Sequence, residues 1–415
     1  MLKLIGPFAQ LVTMDSLNNY GPLKDEEMQL ITDGGILVEE GMIVGIGKFR
    51  DLANGLTGDS IEYVEGTKTA MPGLIDAHTH ICYGGSRAHD YSKRISGADY
   101  ESILAGGGGI HDTIRATGKS PIDDLKDALT ERVIRHFTEG VTSIEIKSGY
   151  SFDAAEEIRL LKVIRDCNEL FPADLIPTCL AAHVVPSGYK DPQEYLDHLI
   201  SELLPVVKRE RLSNRVDIFI EKNAFNPEEG EYYLKAAKEL GFGFTIHADQ
   251  FTVGGSDLAC RLKAQSADHL EASGTGEIRD LAAKKIPAVV LPGSSLGLGR
   301  PFAPARKLLD SGCLLAIASD WNPGSAPMGD LVMQAAVLSA YEKLSNAETF
   351  AALTCRAAVA LLLNDRGVIT KNKICDVIAF ETGDFREILY HQGKLKPSLL
   401  WKKGKKFTLP KFSIS

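Results

Sequence analysis

No two of the seven cysteines stand in a Cys-x-x-Cys spacing, which speaks against a disulfide framework and against a cysteine-held metal; they read as buried thiols. A basic surplus is also missing. Lys and Arg number 46 against 55 Asp and Glu, a net charge of −9, and this excludes phosphate-backbone binding as the main activity, so no nucleic-acid partner is expected. No long uncharged apolar run exists to span a bilayer, which excludes a membrane-embedded chain. The opening MLKLIGPFAQLVTMD has a proline in its short apolar stretch and no small-residue cleavage site, so no signal peptide is read and a cytoplasmic location is expected. Internal repeats and low-complexity segments are absent, and the one basic stretch, GKLKPSLLWKKGKK, is short and reads as a solvated hairpin. What the chain does have is length: 415 residues, 44% hydrophobic and 24% charged, with material for a large barrel and an accessory layer.

Residues 1–70 alternate short β-like runs (35–39, 42–46, 61–64) with Gly and Asx turns, the pattern of a small antiparallel sheet. From Leu74 onward, short apolar runs are separated by helical stretches such as 154–170, 231–240 and 276–284, which predicts parallel strands joined by crossover helices. Eight runs are present (74–80, 142–147, 176–183, 216–221, 244–248, 267–270, 288–291, 315–319). Eight predict an α/β chain with a (β/α)₈ TIM barrel over residues 71–364. The stretch between His80 and Thr142, with its GGGGI at 106–110, is too long for a plain crossover and predicts an active-site excursion. Runs at 377–380 and 398–402 are predicted to complete the N-terminal sheet, so that residues 1–70 and 365–415 build one small β domain.

Five of the ten histidines (His78, His80, His183, His247, His269) fall at the C-terminal ends of predicted strands, where barrel enzymes place their catalytic groups. His78 and His80 are two apart, which aims both imidazoles to one side of a strand. With His247 and Asp320 they form a nitrogen and oxygen set suited to a zinc or iron ion, water completing the coordination. An ion of this kind lowers the pKa of bound water and polarises a carbonyl under attack. Asp320 is then the natural proton acceptor, and His269 is placed to hold the water, to stabilise an oxyanion or to orient a ligand.

PGLIDAHTH, the later histidines and the terminal Asp resemble the amidohydrolase superfamily, whose barrel carries a flanking β-sandwich made from both chain ends. Within it, GGSRAHDY, AGGGGIHDTIRAT, EIKSGYS, AAHVVP, IHADQ, SADHLE, LPG and SDWNPGS occur in an order similar to the imidazolonepropionase family. The resemblance implies hydrolysis of a cyclic amide carbon–nitrogen bond in the third step of histidine degradation. Hydroxide attacks the ring carbonyl of 4-imidazolone-5-propanoate and N-formimidoyl-L-glutamate leaves. It also implies a homodimer. Binuclear relatives bridge two metals with a strand-four lysine, whereas here strand four ends in Glu221 and the lysine, Lys147, lies on strand two, so one ion per chain is expected. Lys147 is read as pairing with a carboxylate at the barrel mouth or as touching substrate. The propanoate calls for a cation, and Arg87 is the candidate for a bidentate clamp, with a surface ion pair as the alternative. Tyr150 and His183 are candidates for hydrogen bonds to ring and product, Tyr100 for closing over the site or for a core position, and Asn322, Gly324 and Ser325 for binding the new carboxylate.

Three departures from that family stand out. Gln250 stands where related deaminases and some imidazolonepropionases have a glutamate; an amide cannot transfer a proton but can bind the ring, which leaves proton transfer to Asp320 and His269. The strand-three segment is AAHVVP where GAH is expected, and LPGSSLGLGRPFAP lacks an aromatic residue. Two rival readings are a deaminase of a cyclic amidine or guanine-like substrate, which would release ammonia, and a barrel that binds metal or ligand without turnover.

Overall fold

The structure, a computed structural model, describes residues 2–98, 108–186 and 188–409. The chain opens with β1 (Lys3–Val12), β2 (Leu30–Glu39), β3 (Met42–Lys48), β4 (Ile61–Tyr63) and β5 (Thr69–Pro72). It then crosses at Gly73 into β6 (Leu74–Asp76), β7 (Val141–Lys147), β8 (Asp174–Ala182), β9 (Arg215–Ile218), β10 (Gly243–Phe244), β11 (Ile246–Ala248), β12 (Ala267–His269), β13 (Ala288–Val290) and β14 (Leu315–Ile317). Neighbours among these pair in parallel, in the orders β10-β9-β8-β7-β6 and β11-β12-β13-β14. Two bridges join the two arcs into a ring: Phe219 with His247, and Thr79 with Trp321. At the second, His80 N donates to Trp321 O at 2.9 Å and Asp320 N to His78 O at 3.0 Å. β10 and β11 are one barrel strand interrupted at Thr245, so the ring has the eight members that the apolar runs predict. Strands β6, β7, β9 and β11 to β14 are buried along their whole length, as a parallel sheet covered by helices requires.

The helices begin where their caps are. Ala154–Leu170 starts after Asp153, whose side chain accepts from Glu156 N. The helix expected over 231–240 runs instead over Pro227–Glu239, because Asn226 and Glu229 form a capping box around a proline at the first turn. Among the described residues of the long first connection, Ala88–Ile95, Ile110–Lys119 and Ile122–Thr138 are helical.

The chain returns as β15 (Val377–Phe380), β16 (Pro397–Lys402) and β17 (Lys405–Thr408). These join the N-terminal strands in the order β17-β16-β15-β5-β1-β2-β3, with β4 beside β1. The sheet is mixed, since β1 runs antiparallel to β2 but parallel to β4 and β5. It is continuous and closes on a core of its own, where Phe8 meets Trp401 edge to face at 5.7 Å. β1 is central to this sheet yet lacks a clean sequence pattern, because Gly6 and Pro7 interrupt it and its register shifts between Ile5 and Phe8. All seven cysteines are buried and free. Among the described residues no helix is long and apolar enough to cross a membrane.

Candidate metal centre

His78 and His80 leave the end of β6, and their Nε2 atoms stand 3.2 Å apart. His247, in the middle of β11, brings its Nε2 to 3.3 Å from that of His80. Asp320, just past β14, holds Oδ1 3.8 Å from His78 Nε2 and 3.5 Å from His80 Nε2. All four side chains are buried. Two overlapping groups have donor atoms within 4.8 Å of one another: His78, His80 and Asp320, and His78, His247 and His269. His269, placed by its sequence beside the centre, is therefore also within donor range of two of the expected ligands.

The atoms behind these rings fix which nitrogen faces inward. His78 Nδ1 is hydrogen-bonded to Asp268 Oδ2 at 2.7 Å, and His247 Nδ1 approaches Asp217 Oδ2 to 2.9 Å, so each ring sets its Nδ1 against a carboxylate and turns its Nε2 toward its neighbours. Burial, then nearby cations and imidazoles, holds His78 and His80 well below the ordinary histidine range, and burial also lowers His247. Neutral nitrogens converging at 3.2–3.3 Å with a carboxylate beside them repel unless a cation lies between them. His80 Nδ1 is in addition buried without a hydrogen-bond partner among the described residues. The donor set fits a divalent metal.

Asp217 and Asp268 carry no spacing signature and escape a reading of motifs. What would have flagged them is burial: a lone acid inside VDIFIE or before His269 needs a partner. Lys147 supplies it, with Nζ 2.9 Å from both Glu145 Oε1 and Asp217 Oδ2 and 3.8 Å from Asp268 Oδ2. It lies beneath the metal centre and does not line the cleft. Glu221 also turns away, accepting from Phe251 N and Thr252 N at 3.0 Å each. Replacing Asp268 with Asn is expected to weaken metal affinity about 10- to 100-fold while the fold persists. Chelator competition measures this, and an unchanged affinity would remove Asp268 from the account.

A cleft of about 130 Å³ opens above the centre. Arg87, Tyr150, His183, Gln250, His269, Asn322, Gly324 and Ser325 all line it, together with Asp90 and Arg94 from the same excursion as Arg87; Tyr100 lies outside the described residues. Arg87 Nε donates to Asp90 Oδ2 at 2.6 Å, and a side chain at position 324 would meet Arg87 Nη1 at 3.1 Å, so a glycine there makes room for the guanidinium. Arg94 Nη2 donates to Gly324 O at 2.9 Å. Burial, then His247, pushes His183 down to about 3, and its Nδ1 donates to Gly149 O at 3.3 Å, leaving Nε2 as an acceptor. Burial, then Asp320, lifts the Tyr150 hydroxyl well above its usual range, so it stays a donor. Gln250 Nε2 donates to Ser294 Oγ at 3.2 Å. The Gly324 and Ser325 amides both donate to Asn322 Oδ1 at 2.8 Å, so these donors close the loop on itself.

Two groups are set apart from the neutral rings. Burial pushes the Asp320 carboxyl up to about 6. Burial opposes a charged His269, but the carboxylate of Glu271 outweighs it with help from Asp320 and Asp268, and His269 is held above the ordinary range. Both residues have left-handed backbone, φ 87° at His269 and 49° at Asp320, a strained conformation for non-glycine residues that concentrates at functional sites.

Residues 69–407 match the amidohydrolase family model. The chain is 39% identical over 379 residues to an imidazolonepropionase of Deinococcus deserti, covering 91% of this chain and 93% of that one. It is 36% identical over 395 residues to an imidazolonepropionase of Parabacteroides distasonis, covering 94% and 95%. Among solved structures, an adenosine deaminase from Xanthomonas campestris with bound zinc superposes with a TM-score of 0.71 at 18% identity, covering 98% of this chain and 92% of that one. An atrazine chlorohydrolase from Arthrobacter aurescens complexed with zinc gives 0.69 at 15%, covering 98% and 95%. The two structures share the fold.

Proposed function

Because the chain belongs to the amidohydrolase family and, within it, to the imidazolonepropionases, we propose that it hydrolyses 4-imidazolone-5-propanoate to N-formimidoyl-L-glutamate. The observation that carries this reading is the juxtaposition, in one cleft, of the His78, His80, His247 and Asp320 cluster with the Arg87 guanidinium. One zinc or iron ion per chain is proposed on that cluster, the Lys147 amine being engaged by carboxylates; two fold relatives hold zinc. When bound, such an ion supplies a water activated at neutral pH and polarises the carbonyl under attack.

The chain's own residues do the rest. Arg87, oriented by Asp90, clamps the propanoate and fixes the ring over the centre. Tyr150 donates to the ring, and His183 Nε2 and Gln250 complete its hydrogen bonding. Asp320, with a carboxyl near neutrality, takes the proton of the attacking water. His269, the imidazole held above its ordinary range, carries the proton that stabilises the oxygen of the carbonyl as charge develops there. The bond between the carbonyl carbon and the ring nitrogen breaks, the nitrogen takes up a proton, and the carbonyl carbon leaves as a carboxylate. A cytoplasmic homodimer is the setting this reading carries.

Arg87→Ala tests the substrate assignment. Loss of two charge-assisted hydrogen bonds is expected to raise KM by about 10- to 100-fold with little change in kcat or metal content. An unchanged KM would remove the propanoate clamp from the reading.

A further inference from the structure

On the face of the barrel opposite the metal centre, where β8 and β9 begin, lies a second cavity of about 390 Å³. Three arginines, Arg165, Arg211 and Arg215, line it, and no carboxylate does. Arg215 is only 7% exposed. Its Nη2 donates to Ala360 O at 3.0 Å, while its Nε is buried with no partner. Among the described residues no carboxylate lies within 4 Å of this guanidinium. Glu145 feels its charge but is bonded to Lys147 at 2.9 Å. A buried guanidinium without a counter-ion is costly, and cations at such positions are paired.

The carboxylates around the cavity are each engaged by other cations. Arg211 is exposed at the rim, without an ion pair, and held at φ 54°. Arg165 is engaged by the neighbouring Asp166 at 2.9 Å, on its solvent side. Nearby, Asp174 is shared by Arg366, Lys402 and Lys403, of which Arg366 also pairs with Asp365 and Lys402 with Asp376, and Glu210 is engaged by Lys162. Three arginines and no carboxylate on one cavity wall, in a chain of net charge −9, are a specific feature rather than an overall bias. The remaining wall is mixed: Leu175, Leu212 and Leu361 supply apolar surface, and Asn168, Asn214 and Gln265 supply polar groups.

We propose that this cavity binds a small organic carboxylate, its anionic group held by Arg215 and Arg211 and its hydrocarbon part against the leucines. Guanidinium forks match carboxylates in plane, and the leucines in the wall favour a ligand with a short carbon chain over a bare anion. The site does not depend on what the barrel hydrolyses. It abuts the metal centre's support, since Arg215 and Asp217 are two apart on β9 and Asp217 holds His247.

Isothermal titration of the metal-loaded full chain with glutarate, and separately with inorganic phosphate, at constant ionic strength tests this. Glutarate is expected to bind, to lose about tenfold or more in affinity in Arg215→Met and in Arg211→Glu, and to be unaffected by Arg87→Ala, which marks the catalytic cleft. Should Arg215→Met fail to fold, Arg211→Glu, a change of an exposed side chain, decides alone; its turnover is expected to match that of the unaltered chain. No glutarate binding at about 10 mM, or binding lost in Arg87→Ala and retained in Arg211→Glu, would overturn the site. Phosphate binding as tightly as glutarate would overturn the carboxylate assignment.

Discussion

Replacing His78 by alanine is expected to lower turnover by more than about 10⁴-fold, because activated water and the electrostatic stabilisation of the carbonyl oxygen are lost together and each is worth roughly 10²- to 10³-fold. His78 carries this weight because it belongs to both donor groups, with His80 and Asp320 on one side and His247 and His269 on the other. Its removal also leaves Asp268 buried without the ring N–H that donates to it; Lys147, 3.8 Å from Asp268 Oδ2, offsets part of that loss. The fold is therefore expected to survive while bound metal falls well below one ion per chain. Metal analysis beside steady-state kinetics checks both parts. Retained turnover with full metal content would show that the centre is built around other residues.

Lys147→Met is expected to cost about 3–5 kcal/mol of stability, the range for breaking a fully buried ionic network by removing one partner. The lysine is completely buried, and burial alone would disfavour its charge, yet Asp217, then Glu145 and Asp268, outweigh this and hold its amine above the ordinary range. Reciprocally, His247 and Lys147 hold the Asp217 carboxyl far below its ordinary range against the opposing effect of burial. Removing the cation leaves three buried carboxylates facing one another and loosens the partners of both His78 and His247. Denaturant unfolding of the purified variant measures the loss. Adding Asp217→Asn to Lys147→Met is expected to restore part of the stability, since one negative charge goes with the lost positive one, but not the metal affinity. A single Lys147→Met variant within about 1 kcal/mol of the unaltered chain would contradict the network.

The eight barrel strands are legible because parallel strands buried on both faces leave unbroken apolar runs, and the His78 and His80 pair because a period of two on a strand has one geometric meaning. Other parts have no such signature. β1 is the middle of its sheet, but Gly6 and Pro7 hide it, and only pairing to β2, β4 and β5 reveals it. Asp217 and Asp268 sit inside runs that read simply as strands; their meaning comes from residues some 30 and 190 positions away, His247 and His78. The left-handed backbone at His269 and Asp320 likewise follows from ring closure and loop packing rather than from residue type. Arg215 stands just before the run at 216–221 and becomes a charge in need of a partner only once its surroundings are known.

The most direct test of the central claim is product analysis. Metal-loaded protein is incubated with freshly prepared 4-imidazolone-5-propanoate, and N-formimidoyl-L-glutamate and ammonia are both quantified as substrate is lost. Hydrolysis of the ring amide predicts N-formimidoyl-L-glutamate in equal amount to the substrate consumed and no free ammonia. Ammonia released in step with substrate loss, or no turnover by protein carrying about one ion per chain, would contradict it.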